Sequence, residues 1–421
     1  MSPLRICMLT TFYPPYSFGG DGITVQRLAQ ALVRHGHHVT VIHDTDAYRA
    51  LAHDPIPERP DVDEDAGVTV IRLRSRLGAL SPLLVQQFGR PMLHASRLRH
   101  LLRPGQFDVV NFHNVSLIGG PGLLTYSRDA VTLYMAHEHW LVCPTHVLWR
   151  NNRERCETQH CLQCVLMHRR PPQLWRYTGA LPRAIEQVDT VIALSEFSRA
   201  RHRAFGLTRE MDVLPPFLPT EAPVAEAGAP PHQRPYFFFA GRLEKMKGLD
   251  DAIAAMRIVG NADMVVAGEG SERARWQAMA ADLPHVHFVG QLAPEAVRIW
   301  QRHAIATLVP SVGYETFGVV LIEALREGTP VIARRIGPFP EIVAQAGAGA
   351  LFDTPAELAA AMVRIHDDPA LRRQMAVAAQ DAVQSRWSEM AVLPAYLGFV
   401  HRAALRRGHA RVAGLLDRVA S

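Results

Sequence analysis

Two stretches of this chain carry side chains suited to holding a charged, hydroxylated ligand. The first is Gly241-Arg242-Leu243-Glu244-Lys245-Met246-Lys247-Gly248, directly after the apolar run Tyr236–Ala240. Cations in a glycine-bounded turn suit a diphosphate that departs with rising negative charge. Arg242 offers a forked contact and Lys247 a point charge. Taken alone, the same residues also read as a solvated basic turn. The second stretch, residues 314–333, places Glu315 and Glu323 eight positions apart. Thr316-Phe317-Gly318 stands at a predicted helix start, where free N–H groups and the macrodipole favour an anion. Nearly every position from Phe317 to Leu325 is apolar, so that helix must be largely buried. A carboxylate such as Glu323 within it then needs a partner to offset desolvation. Gly328 ends the helix and Pro330 opens a strand. An anion site beside two acids implies a ligand with phosphate and hydroxyls, and a nucleotide sugar meets that description.

The elements that must position these residues read as α/β with parallel sheets, because strand-like apolar runs alternate with helical patterns throughout. At 421 residues the natural expectation is two domains, and 48% hydrophobic residues suffice for two cores. Runs at 5–9, 38–42, Val68–Leu73, Val109–Phe112, 132–135 and Thr190–Ala193 predict one sheet. Tyr236–Ala240, Asp263–Ala267, 285–289, 306–309 and 330–333 predict another. Pro215, Pro216, Pro219, Pro223, Pro230, Pro231 and Pro235 mark the linker. From about Trp387 the pattern is helical without strands. Two doubly wound domains with ligand at the strand carboxyl ends follow.

Composition narrows the partners. The formal net charge is +5 and aromatics are 7%, with no basic stripe, which argues against nucleic acid and permits an anionic substrate or membrane surface. No apolar run reaches eighteen residues and the N-terminus does not read as a signal peptide, so a cytoplasmic chain is expected. Residues 83–103 and 402–418 mix Leu, Val and Ala with Arg. They read as surface-binding helices at the inner face of the membrane or as arginine-bearing solvent faces. Asp44-Thr-Asp46, Asp61-Val-Asp63 and Asp63-Glu-Asp65 are acid pairs, the last two expected in a solvated loop near Pro60. Gly19 and Gly20 sit in a turn without dinucleotide-fingerprint spacing. Cys143, Cys156, Cys161 and Cys164 form C-x12-C-x4-C-x2-C within an insertion at about 143–168. Such clustering favours metal over disulfides: structural zinc, an iron–sulfur cluster as the alternative, or unligated thiols. Cys7 on the first strand reads as core.

The pairing of GRLEKMKG with ETFGVVLIEALREGTPVIA resembles the retaining glycosyltransferases of family 4, which have the GT-B fold. Tyr13-Pro-Pro with Gly19-Gly20, Gly36-His37-His38-Val39, Ser195-Glu196-Phe197-Ser198, Val213-Leu214-Pro215 and Gly268-Glu269-Gly270 fit the same family in order. The resemblance implies domains at 1–216 (acceptor side) and 217–386 (donor side), and a segment 387–421 returning to the first. It implies a nucleotide-diphosphate sugar donor, with Arg242 and Lys247 on the diphosphate, aided by N–H groups of Phe317, Gly318 and Val319. Glu323 would take the ribose, Glu315 the sugar hydroxyls, and Gly19 and Gly20 the close approach of the donor. His137, with His139 as runner-up and His113 as a further candidate, would lie near the reacting sugar. No carboxylate stands out as a nucleophile, so front-face transfer to an acceptor hydroxyl, without a catalytic metal, is implied. The acid pairs look like the metal-holding motif of the other glycosyltransferase fold class. A non-catalytic nucleotide-sugar-binding partner and a metal-binding interaction module remain the alternatives.

Overall fold

The computed structural model describes residues 3–52, 58–219 and 229–420, so residues 220–228 of the expected linker lie outside the described residues. The chain forms two compact units. One comprises residues up to Val147, Thr158–Pro219 and the chain from Val392; the other comprises Leu148–Glu157 and Thr220–Ala391. Relative to the expected boundaries at 216 and 386, the divisions fall a few residues later. The larger correction concerns the cysteine insertion, expected wholly in the first domain. Its central ten residues belong to the second unit.

In the first unit the strands are β1 (Arg5–Thr10), β2 (His38–Asp44), β3 (Val62–Asp65), β4 (Val68–Leu73), β5 (Val109–Phe112) and β6 (Val131–Ala136). The insertion contributes a two-stranded hairpin, β7 (Trp149–Arg150) and β8 (Glu154–Arg155), to the other unit; β9 (Thr190–Ala193) and β10 (Met211–Val213) complete the first. The sheet order is β10-β9-β6-β5-β1-β2-β4-β3, parallel except for the β3–β4 pair. Every residue of β5 and β6 is buried, which explains why their runs are mostly apolar, with Asn111 and Thr132 as the polar exceptions. Strand order reverses between β1 and β5, the place where doubly wound sheets bind ligands.

Residues 61–65 are not a solvated loop. They include edge strand β3, whose Asp65 accepts hydrogen bonds from Tyr13 (2.8 Å), Gln26 (2.8 Å) and Gln30 (3.3 Å). Residues 83–103 are not one helix but Leu80–Phe88, Met92–His94 and Ala95–Leu101. The tail forms helices Glu389–Arg407 and Ala410–Ala420. Arg406 donates to Thr190 Oγ1 (3.0 Å), Arg407 pairs with Asp189 (2.6 Å) and Arg411 with Asp108 (3.3 Å), while Tyr396 accepts from Asn111 (3.2 Å). These arginines hold the tail to the first unit's sheet.

The second unit has β11 (Tyr236–Ala240), β12 (Asp263–Ala267), β13 (Val286–Gly290), β14 (Thr307–Val309), β15 (Val331–Arg334) and β16 (Gly349–Phe352). All run parallel in the order β13-β12-β11-β14-β15-β16, so the reversal lies between β11 and β14. Phe237, Phe239, Met264, Val266, Leu308 and Ile332 fill one face of this sheet.

Candidate functional site

The two stretches singled out in the second half of the sequence leave β11 and β14, the strands that flank the reversal. The first loop is packed tightly enough to dictate glycine both within it and in the turn after β12 that lies against it. A Cβ on Gly268 would lie 1.9 Å from Gly241 O, and one on Gly248 would lie 2.3 Å from Pro310 O; both glycines have positive φ (+138° and +63°). Leu243 donates to Glu269 O (2.8 Å), and Val312 donates to Met246 O (2.8 Å), so backbone bonds join the loops. Across this junction Lys247 Nζ donates to Glu315 Oε1 at 2.7 Å, and Ser311 Oγ donates to the same oxygen at 3.0 Å. Burial pushes the Glu315 carboxyl up, but the charge and hydrogen bond of Lys247, with Ser311 and the charge of Arg242, prevail and hold it below the usual range. The Arg242 side chain is exposed and makes no hydrogen bond or ion pair among the described residues. The helix Val319–Arg326 begins at Gly318, whose φ of +100° and 2.7 Å Cβ clearance to Phe339 Cε1 demand glycine. Gly318 has no side chain to cap this helix, so its first-turn N–H groups lack a capping side chain at the N-cap position.

The buried acid of this helical region is not Glu323, which is only half-buried. It is Glu327, whose side chain is 1% exposed and meets Arg298 (2.8 Å), Arg302 (2.5 Å) and Arg326 (3.1 Å). Glu323 sits on the less buried face of its helix. A second unexpected neighbour is Glu157, which follows hairpin β7–β8 and accepts a hydrogen bond from Tyr314, the residue before Glu315. The insertion therefore reaches the loop that carries the sugar-contact candidate.

In the first unit, the carboxyl ends of β1, β5 and β6 gather a polar group. His113 Nδ1 lies 2.8 Å from His137 Nε2, and Asn114 donates to Asp21 at 3.3 Å in the first turn of the helix Gly20–Arg34. Burial drives His137 down to about 4, against the opposing pull of Asp21. Burial and His137 together hold His113 well below the ordinary histidine value. Both imidazoles are thus neutral near pH 7. His139, the runner-up, is buried against His202 with ring centroids 5.2 Å apart, away from this group. Asp21 escaped the sequence reading; an acid one residue past the Gly-Gly pair at a helix start was the available signal. Gly19 and Gly20 would accept a Cβ without meeting any atom within 4 Å, whereas a Cβ on Gly22 would strike Ser17 Oγ at 2.4 Å. Internal packing therefore accounts for Gly22 and not for the pair before it.

Among the cysteines, Cys143, Cys156 and Cys164 are buried and Cys161 is half-buried. Burial pushes the Cys161 thiol up, with Cys143 and Cys164 adding to the effect. Among the described residues, the groups of three donors lying within 4.8 Å of one another do not include these thiols. No helix among them is long and apolar enough to cross a membrane.

Comparison with known proteins follows the same division of the chain. The model described as Glycosyltransferase Family 4 matches residues 18–222, and that described as Glycosyl transferases group 1 matches residues 224–382. Glycogen synthase of Mycobacterium tuberculosis is 27% identical over 441 aligned positions, covering 97% of this chain and 98% of that protein. The lipopolysaccharide core biosynthesis glycosyltransferase LpsD of Rhizobium meliloti is 28% identical across 52% of this chain and 66% of its own length. The solved structure of sucrose-phosphate synthase from Thermosynechococcus elongatus matches with a TM-score of 0.71 at 22% identity, covering 97% of this chain and 99% of that one, a likeness of fold. The two family models follow one another along nearly the whole chain and divide where the sheets divide, so the chain is a glycosyltransferase of the family 4 type with the GT-B fold.

Proposed function

We propose that this glycosyltransferase moves a sugar from a nucleotide-diphosphate donor to an acceptor hydroxyl with retention of anomeric configuration and without a catalytic metal. The observation that carries the reading is the Lys247–Glu315 contact across the β11/β14 reversal, with Arg242 unpartnered beside it. Arg242, Lys247 and the N–H groups at Phe317, Gly318 and Val319 supply the positive field that a metal would otherwise bring to the diphosphate. Glu315 Oε1 is occupied by Lys247 and Ser311, which leaves Oε2 for a donor-sugar hydroxyl. Glu323 accepts from the ribose hydroxyls. His137, neutral at pH 7, and the Gly19-Gly20 turn serve the sugar end of the donor. The acceptor oxygen bonds to the anomeric carbon on the face from which the phosphate oxygen departs. The acceptor proton passes to that phosphate oxygen, so no protein base is consumed.

A panel of nucleoside diphosphates and nucleotide sugars, read by thermal shift and by turnover, tests this. One nucleotide class raises the melting temperature of wild type. Glu323→Ala abolishes that rise while keeping the ligand-free melting temperature, and added chelator leaves turnover intact. Binding without transfer or donor hydrolysis would instead favour a non-catalytic partner. The anomeric configuration of the product, read by NMR, decides between retention and inversion.

Two further parts belong to the same reading. The cysteine segment is structural, and zinc is the ion it would hold; an ion bound by wild type and lost in Cys161→Ser/Cys164→Ser supports that, while equal metal content in both proteins defeats it. A peripheral membrane contact is supported by Leu80, Leu83, Phe88 and Leu93, which are exposed in the 80–94 region near Arg90 and Arg97.

A further inference from the structure

The first unit holds a second polar cluster, wholly inside the protein, that the transfer reaction does not use. Asp44 ends β2, Asp46 lies in the first turn of the helix Thr45–Leu51, and His94 closes the one-turn helix Met92–His94. Their side chains are 0%, 1% and 3% exposed. His94 Nε2 stands 3.8 Å from Asp44 Oδ2 and 3.6 Å from Asp46 Oδ2, beyond hydrogen-bond reach. Neither Asp44 Oδ2 nor His94 Nε2 has a hydrogen-bond partner. The carboxylates are nevertheless firmly aimed. Asp44 Oδ1 accepts from the backbone N–H of Asp46 (2.8 Å) and Ala47 (3.3 Å), and Asp46 Oδ2 accepts from that of Ser75 (2.7 Å). No arginine or lysine forms an ion pair with either acid among the described residues.

Two acids in the interior without a fixed cation are costly, and orphaned buried donors and acceptors are rare. A divalent ion removes both difficulties. Donors about 2.1 Å from a tetrahedral ion lie about 3.4 Å from one another, close to the gaps here. All three donor atoms lie within 4.8 Å of one another. Backbone N–H groups behind the carboxylates are the orienting contacts such sites employ. We propose that Asp44, Asp46 and His94 bind a divalent cation of the zinc–manganese class, which ties the end of β2 to the two short helices. The mixed oxygen and imidazole donors suit those ions.

The other convergent trio marks the contrast. His232 and His287 already hydrogen-bond Asp263 Oδ2 at 2.7 and 2.9 Å, and Arg234 stands 3.1 Å from Oδ1. In that cluster both histidines already hydrogen-bond the shared carboxylate oxygen and Arg234 offsets its charge without an ion.

The test uses the Cys161→Ser/Cys164→Ser chain, so that thiolate-bound metal does not contribute. Purified without chelator, it retains about one equivalent of divalent ion by elemental analysis. Adding His94→Gln removes that ion, and adding Asp44→Asn weakens its binding by about tenfold or more. After unfolding in chelator, refolding with Zn2+ or Mn2+ raises the melting temperature of the parent but not of the His94→Gln protein. An ion retained by His94→Gln would overturn the assignment. So would a parent chain without metal whose melting temperature ignores both ions, and this second measurement decides even if the variants do not fold.

Discussion

Arg242→Ala lowers kcat by about 10²–10³ and leaves the melting temperature at the wild-type value. The two halves of this expectation rest on different observations. The Arg242 side chain is exposed, makes no hydrogen bond or ion pair among the described residues and touches Glu315 only through its charge, and surface substitutions of that kind stay within about 0.5 kcal/mol. Its value arises when the donor's sugar–phosphate bond breaks and the departing diphosphate gains charge, because a preorganised cation there strengthens as the reaction proceeds. The loss therefore falls equally on kcat and kcat/KM. Arg242→Lys keeps the charge but not the planar fork, so it recovers only part of the rate. Lys247→Ala is a less clean experiment, since it also strips the 22%-exposed Glu315 side chain of its 2.7 Å counter-ion. Wild-type turnover in Arg242→Ala would remove this residue from the mechanism and shift the burden to the helix start at Gly318.

What the sequence disclosed and what it hid divide along local and non-local physics. Strands such as β6 and β11 are legible because both faces are covered and every residue is apolar or small. The anion-ready helix start is legible because Gly318 and the apolar run after it are adjacent. Strand order is not, since the reversal between β11 and β14 joins residues some seventy positions apart, as in the Phe238–Thr307 pairing. Glu323 drew attention as the acid inside the apolar run, yet the interior acid is Glu327. Two of its three arginines come from the helix Pro294–His303, whose Arg298 and Arg302 share a face four residues apart, while the third, Arg326, is its sequence neighbour. Asp65 misled for the same reason, its Tyr13 partner being distant in the chain. Nor does spacing reveal that Glu157, within a cysteine-rich insertion, meets Tyr314.

Glu327→Gln carries the largest expected effect on stability, and it separates the two glutamates. The wild-type carboxylate faces three guanidinium groups that are 16%, 26% and 16% exposed, so its removal leaves clustered positive charge with only partial access to water. Breaking such a cluster costs about 3 kcal/mol, the lower part of the range for fully buried pairs because the arginines can reach solvent. For a unit of this size that corresponds to a fall of about 6–12 °C in the melting temperature. The pH dependence has a definite sign. Burial raises the Glu327 carboxyl, but hydrogen bonds to Arg298 and Arg302 and the arginine charges outweigh it, leaving its pKa below the usual 4.5. A folded value below the unfolded one means that the stabilisation is complete above the unfolded value and disappears as pH falls through the folded one. The gap in stability between wild type and Glu327→Gln is therefore constant near neutrality and narrows as the pH drops below about 4.5. Glu323→Ala behaves oppositely: it loses the thermal response to nucleotide and keeps most of the wild-type stability at neutral pH. Should denaturation curves find Glu327→Gln as stable as wild type and Glu323→Ala the damaged protein, the acid that the fold requires and the acid that the ligand requires would have to exchange places.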